Sequence, residues 1–269
     1  MKRTRIPGFT LVEVLVVIVI IATLGALGMA GVNSARRKAK TVVEINAARN
    51  LITAYLGHAG ENNGRVLPGY QVDPTATNLY GKPVEFPMNA RYPWRLAPSV
   101  PTVKGVLVFN GNEKILDGDN ADYRVSAQPN LGLNATLVGG HFGSGSPLNP
   151  TPRLVEAYGK FYLSQLAESG DPSKLIVFAS ARSGENSPGY FEVRPPRLTG
   201  PVWSPEKFTP GGRASAHGFV DFRWNGKAVV AMLGGNVELQ AEDDLRDMRR
   251  WSHQAERANN PDFTISRVE

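Results

Sequence analysis

The chain contains no cysteine. That absence excludes a disulfide framework, a thiolate metal site and a thiol nucleophile. It does not fix the compartment, because an envelope protein can lack disulfides. Histidine is scarce: residues 58, 141, 217 and 253, with no metal-ligand spacing among them. Each reads as a loop or surface histidine. Gly143-Ser144-Gly145-Ser146 lacks the Gly-x-Ser-x-Gly elbow, and no phosphate-binding glycine motif occurs. Charged residues make up 20% and apolar residues 42%, so the material for a folded core is present. With 269 residues the chain has room for one sizeable domain or two small ones beside an apolar segment. The net charge of +6 falls to +3 without Lys2, Arg3 and Arg5. The basic balance is therefore partly a feature of the amino terminus, and a weak argument for a nucleic-acid partner.

What is present is a long apolar run. From Phe9 to Val32 the one ionisable residue is Glu13. As a helix this run reaches roughly 36 Å, enough for a ~30 Å hydrocarbon core. A carboxylate in such a segment is costly and is read first as a functional group with a partner. A secretory signal has a shorter run and no early carboxylate. A plain membrane anchor has no use for Glu13, nor for the Pro7-Gly8 step before the run.

Lys2-Arg3-Thr4-Arg5-Ile6-Pro7-Gly8 followed by Phe9-Thr10-Leu11-Val12-Glu13 closely resembles the prepilin signal of type IV pilins and type II secretion pseudopilins. The resemblance implies cleavage between Gly8 and Phe9 by a membrane prepilin peptidase, and methylation of the new amino-terminal Phe9. Gly8 presents no side chain to a narrow cleft, and Pro7 blocks a helix from running back through that bond. Phe9 would then carry an amine four residues from Glu13. The resemblance implies pairing of Glu13 with the amino terminus of a neighbouring subunit, which fixes register because either charge left alone in low dielectric is severely penalised. Within a lone helix Glu13 can also snorkel to the headgroups.

Orientation is not decided by charge, since Arg36, Arg37, Lys38 and Lys40 follow the run while the leader carries three basic residues. The resemblance places the leader in the cytoplasm of a single-pass inner-membrane protein, with the remainder in the periplasm or on a surface filament. It implies other pilin or pseudopilin subunits and an inner-membrane assembly platform as partners. One departure is Ala30, where many type IV pilins have proline. Gly25, Gly28 and Gly31 recur at spacing three and can loosen the helix or permit close packing.

The pattern predicts an α+β chain in four parts: leader 1–8, membrane or filament-core helix 9–32, amphipathic continuation 33–57 and globular head 58–269. Ile45, Ala48, Leu51, Ile52, Tyr55 and Leu56 make one apolar helix face, with Gly57 and Gly60 as stop signals. Turn-rich residues 58–103 predict an irregular excursion. Strands are expected at Val106–Phe109, Tyr123–Ser126 and Leu175–Ala179, with Phe191–Val193 pairing to the last. Leu154–Glu168 reads as a helix and Asn130–Ser146 mostly as loop. Gly218–Trp224 and Lys227–Leu233 around Asn225-Gly226 read as a hairpin, followed by Val237–Leu239. A helix from Glu242 to about Ala258 and a loose tail close the chain. The late His217-Gly218 step, the strand into Gly234-Gly235-Asn236-Val237 and Leu131-Gly132-Leu133-Asn134 resemble, more weakly, the heads of a pseudopilin-like group.

The expected function is structural: a filament subunit working by polymerisation, with no catalytic residues and no required cofactor. The alternative is a minor pilin whose head binds DNA or a surface. A membrane-tethered enzyme finds no motif. Asp117, Asp119 and Asp122 invite a secondary calcium reading, against which the EF-hand glycine and bidentate glutamate are absent; an acidic turn is the plainer account.

Overall fold

The computed structural model describes residues 10–184 and 187–268. The chain is α+β, with a long helix near its start and a mainly antiparallel sheet later on. It divides into two compact units, Met1–Val42 and Val43–Glu269.

Helix α1 runs from Leu11 to Glu61, straight through Gly57 and Gly60. Neither glycine stops it, because stopping requires a left-handed residue that takes the orphan carbonyls. That service comes later. Asn63 and Gly64 adopt φ of 55° and 79°, and the Gly64 amide donates to Ala59 O at 2.7 Å. The helix also passes unbroken through Gly25, Gly28 and Gly31.

In the second unit, α1 buries Glu44, Ala47, Ala48, Leu51, Ile52, Tyr55 and Ala59. The stripe is centred one residue away from the expected one: Ile45 and Leu56 are half-buried flanks. Against it lies a four-stranded sheet in the order β1 (Leu131–Leu133), β2 (Ile176–Ser180), β5 (Lys227–Met232), β6 (Val237–Ala241), antiparallel throughout. A small second sheet joins β3 (Arg182–Gly184) to β4 (Ser187–Pro188). Leu133 pairs with Phe178, Ala179 with Val230, and Val229 with Leu239.

β1, β2 and β5 are buried on both faces, while the edge strand β6 is partly exposed. Phe178, Val229 and Ala231 join the cluster containing Tyr55 and Leu51. Ala228, Val230 and Met232 join a second cluster around Trp203, Phe222 and Trp251. This is why β5 reads as a continuous apolar run with no alternation. Tyr55 meets Phe178 edge-on at 5.6 Å, and Tyr92 donates to Leu131 O at 2.6 Å. Asn134 ties the layers, its Nδ2 donating to Ile176 O and Trp251 O at 3.1 and 3.0 Å.

Several expectations are corrected. Tyr123–Ser126 lies in α3 (Ala121–Ala127), which follows the short α2 (Tyr92–Leu96), and Val106–Phe109 is a turn with an isolated Lys104–Val108 bridge. The helix expected over Leu154–Glu168 is α4 (Pro152–Tyr158), begun by Thr151, whose hydroxyl accepts from Leu154 N. Phe191–Val193 runs beside β1, not β2: Leu133 N donates to Phe191 O and Val193 N to Leu133 O. The Asn225-Gly226 turn forms, with φ of 54° and 75° and Trp224 and Lys227 exchanging two hydrogen bonds. No strand precedes it, because Gly218 and Phe219 both turn left-handed. The hairpin partner of β5 is β6, across Leu233–Asn236.

The terminal helix is three short pieces: α5 (Glu242–Leu245), a single 3-10 turn at Met248–Arg250, and α6 (His253–Arg257). Asp247 and Ser252 cap new starts with their side chains, and Trp251 turns inward to donate to Leu245 O. The tail is pinned, with Ile265 buried and bonded to Leu198 O, and Val268 bonded to Ala157 O. Three of the four histidines are buried, not superficial: His141, His217 and His253.

Candidate processing and assembly site

The first described turn is built from Thr10 and Glu13. Thr10 precedes the helix, and Glu13 is the third residue inside it. Thr10 N and Oγ1 donate to Glu13 Oε2 at 2.8 and 2.7 Å, and Glu13 N donates back to Thr10 Oγ1 at 3.3 Å. This is a reciprocal capping box, which satisfies donors that a helix start otherwise leaves orphaned. Thr-x-x-Glu is legible in the sequence, but the charge of Glu13 points first to an amine partner or the headgroups, not to a cap. The two roles are compatible. Among the described residues nothing donates to Oε1, so one oxygen fixes the helix start and the other is open. Gly8 and Phe9, the expected cleavage and methylation positions, lie outside the described residues.

Beyond this turn every large apolar side chain from Leu11 to Leu24 is exposed, for example Leu11 at 83% and Ile21 at 63%. The segment is apolar on all sides. Thr23, its polar residue, returns its hydroxyl to Ile20 O at 2.9 Å and leaves no donor unmatched. Among the described residues no helix is long and apolar enough to cross a membrane. The apolar side chains described without a gap, Leu11–Leu24, reach roughly 21 Å against a ~30 Å hydrocarbon core. The expected span over 9–32 is not met by the described residues; Phe9 and the side chains of residues 25–28 and Ala30 lie outside them. Arg36, Arg37, Lys38 and Lys40 follow on exposed turns of the helix.

The second unit holds its stretch of α1 through a residue that the sequence reading missed. Glu44 is fully buried. Its Oε1 accepts from the Ser180 hydroxyl on β2, and Ser180 Oγ in turn accepts from Val229 N at 2.8 Å on β5. Arg223 Nη1 stands 3.9 Å from Glu44 Oε2, and Arg223 Nε is 3.0 Å from Asp221. Burial pushes the Glu44 carboxyl above its ordinary range, and the Arg223 charge opposes that shift. The available signal was positional: Glu44 falls three to four residues before Ala47 and Ala48, on the apolar stripe itself.

Asp117 and Asp119 are exposed, while Asp122 is half-buried and accepts from Asn78 Nδ2 at 2.8 Å. Among the described residues no three His, Asp or Glu side chains gather where they could hold a metal ion, so these aspartates bring no coordination shell together.

Residues 3–29 match the family model of the prokaryotic N-terminal methylation motif, the prepilin-type signal of type IV pilins and pseudopilins. No curated protein and no solved structure matches the chain. The signal implies processing by a peptidase and assembly with other pilin-type subunits, and it fits a membrane-anchored envelope protein.

Proposed function

We propose that this chain is a structural subunit, a pseudopilin or pilin-like protein, assembled into a type II secretion pseudopilus or a type IV pilus-like filament. The observation that carries the reading is the prepilin signal at 3–29 running into a helix whose large apolar side chains from Leu11 to Leu24 are exposed. Exposed apolar surface on that scale marks an interaction with lipid or protein. In the proposed cycle the peptidase cuts between Gly8 and Phe9 and Phe9 is methylated. The segment 9–32 resides in the inner membrane with the leader cytoplasmic, and it moves into the filament core on assembly. Glu13 Oε1 receives the Phe9 amine of the adjacent subunit, while Oε2 stays in its own cap. The work is polymerisation, and no chemical step is asked of the head.

Mass spectrometry of the mature chain tests this. The expected first residue is methylated Phe9. A start beyond residue 30, or an intact Met1 or Lys2, overturns the reading.

A further inference from the structure

A cleft of about 650 Å³ opens on the head where the residues around Tyr70, the 140–145 segment and the extended 190–194 stretch meet. Backbone bonds hold these pieces together: Tyr70 N donates to Gly140 O at 3.2 Å and Phe142 N to Tyr70 O at 2.8 Å. Gly132 on β1 lets the third piece approach, since a Cβ there would stand 2.7 Å from the Glu192 carbonyl carbon. The walls are aromatic. Tyr70 stacks on His141 at 4.6 Å with planes 4° apart, and Tyr190 lies 4.7 Å from Phe191. The rim is apolar and open, with Phe86 66% and Val72 54% exposed.

The floor is polar and its charges do not balance. Glu192 is buried, and its Oε1 accepts from Arg194 Nε and Nη2 at 3.1 and 2.6 Å. Its Oε2 has no hydrogen bond and stands 3.4 Å from His141 Nε2. His141 Nδ1 accepts from Gly143 N at 3.2 Å, which leaves the ring proton on Nε2, toward Glu192. Burial lowers the imidazole to about 4, so it carries no charge at neutral pH. Arg194 therefore balances Glu192, and Arg91 is surplus. The Arg91 guanidinium sits 4.9 Å over Phe191 and 5.2 Å over Tyr123. It donates to the Ser126 hydroxyl, keeps an unpartnered Nε, and makes no salt bridge to a described carboxylate.

These features select a ligand by elimination. A cation would meet the surplus positive charge. A purely apolar molecule would strip water from Arg91 and Glu192 and offer nothing in return. A small inorganic anion would leave the aromatic walls unused. An aromatic acid would offer nothing to Gln71, Ser144 or the unpartnered Glu192 Oε2. A carboxylated pyranose uses all of them: its acid for Arg91, its C–H face for the rings, its hydroxyls for the polar lining. We propose that this cleft binds an acidic saccharide, with a hexuronic acid unit seated between Arg91 and the Tyr70–Phe191 wall. The site is separate from the amino-terminal signal and does not depend on the assembly role.

The test is saturation-transfer NMR on the full chain in detergent micelles, with the methyl glycosides of glucuronic and galacturonic acid as probes. Methyl glucoside and phenylacetate are the comparison probes. At least one uronate is expected to bind better than either comparison probe. Arg91→Gln is expected to weaken binding roughly tenfold, the scale of a lost charge-assisted hydrogen bond. Phe86→Ala, at an exposed rim position, is expected to weaken it severalfold with unchanged thermal unfolding. Should Arg91→Gln fail to fold, Phe86→Ala decides. The proposal is overturned if neither uronate binds, if methyl glucoside binds as well, if phenylacetate binds best, or if the folded variants bind like the parent.

Discussion

One helix carries two stretches of opposite character. From Leu11 to Leu24 its large apolar side chains are all exposed. From Glu44 to Ala59 the same helix is embedded, with Leu51 and Tyr55 fully covered. The second stretch is stabilised within the chain by sheet, aromatic contacts and an ion pair. Among the described residues the first has its backbone ladder, the Thr10–Glu13 cap and the Thr23 hydroxyl bond to Ile20 O. Propensity and capping make a helix in both places, but only one of them is completed by its own chain. The missing partner of the first is the functional statement.

Experiments that separate the two stretches sharpen this contrast. The largest effect is expected at Glu13. Glutamine can occupy the third position of a capping box, so Glu13→Gln keeps the helix start and removes the charge. Processing and insertion should persist while filament incorporation is lost, read by cross-linking and shearing of assembled material. Incorporation at parental levels would show that the cap suffices and the charge pairing is wrong. Next comes the embedded stretch. Glu44→Ala takes the acceptor from the buried Ser180 hydroxyl while Arg223 keeps Asp221, and should cost about 1–3 kcal/mol in denaturant unfolding of the head without changing the amino terminus.

A third effect depends on pH. Burial lowers His141 and His253 to about 4, whereas in the unfolded chain both protonate near ~6.5. The unfolded state binds more protons across that window, so their contribution is present above 6.5 and lost as pH falls toward 4. Burial of Glu44 and Glu192 raises their carboxyls and acts in the opposite sense. His253→Gln should therefore flatten the acid loss of stability by on the order of 3 kcal/mol between neutral pH and 4, measured as unfolding midpoints at both ends. An unchanged slope would exclude His253 as a contributor. The smallest effect is at Thr10: Thr10→Ala should speed amide exchange in the first turn about fivefold, the size of an ordinary N-cap, and leave the head's exchange untouched.

The parts of the fold that were legible in the sequence are those where one local signal decides. The 11–24 run, the 48–55 face, β2, and the Asn225-Gly226 turn all announce themselves. Failures arise where tertiary contacts choose between local options. The Asn225-Gly226 signal pairs Lys227–Leu233 with Gly218–Trp224, but the backbone at Gly218 and Phe219 is left-handed and the hairpin partner is β6. Tyr123–Ser126 looks extended, yet lies in a helix near Trp94, whose indole donates to Asp122 O. Histidines 141, 217 and 253 read as superficial because a polar residue shows its burial only through neighbours distant in sequence. Glu192, 51 residues beyond His141 in the chain, is one such neighbour. At the amino terminus the motif was plain, and the cap was hidden in the same five letters.

The Glu44–Ser180–Arg223 arrangement has a mechanical consequence. Among the residues whose burial is described, Glu44 is the first buried one met when the helix is followed from Leu11. Tension applied at the amino-terminal end would travel down the helix and reach this ionic latch before any of the oily contacts at Leu51 or Tyr55. Because Ser180 Oγ also receives Val229 N, that load would pass into β2 and β5 together before it fell on the packed core behind them.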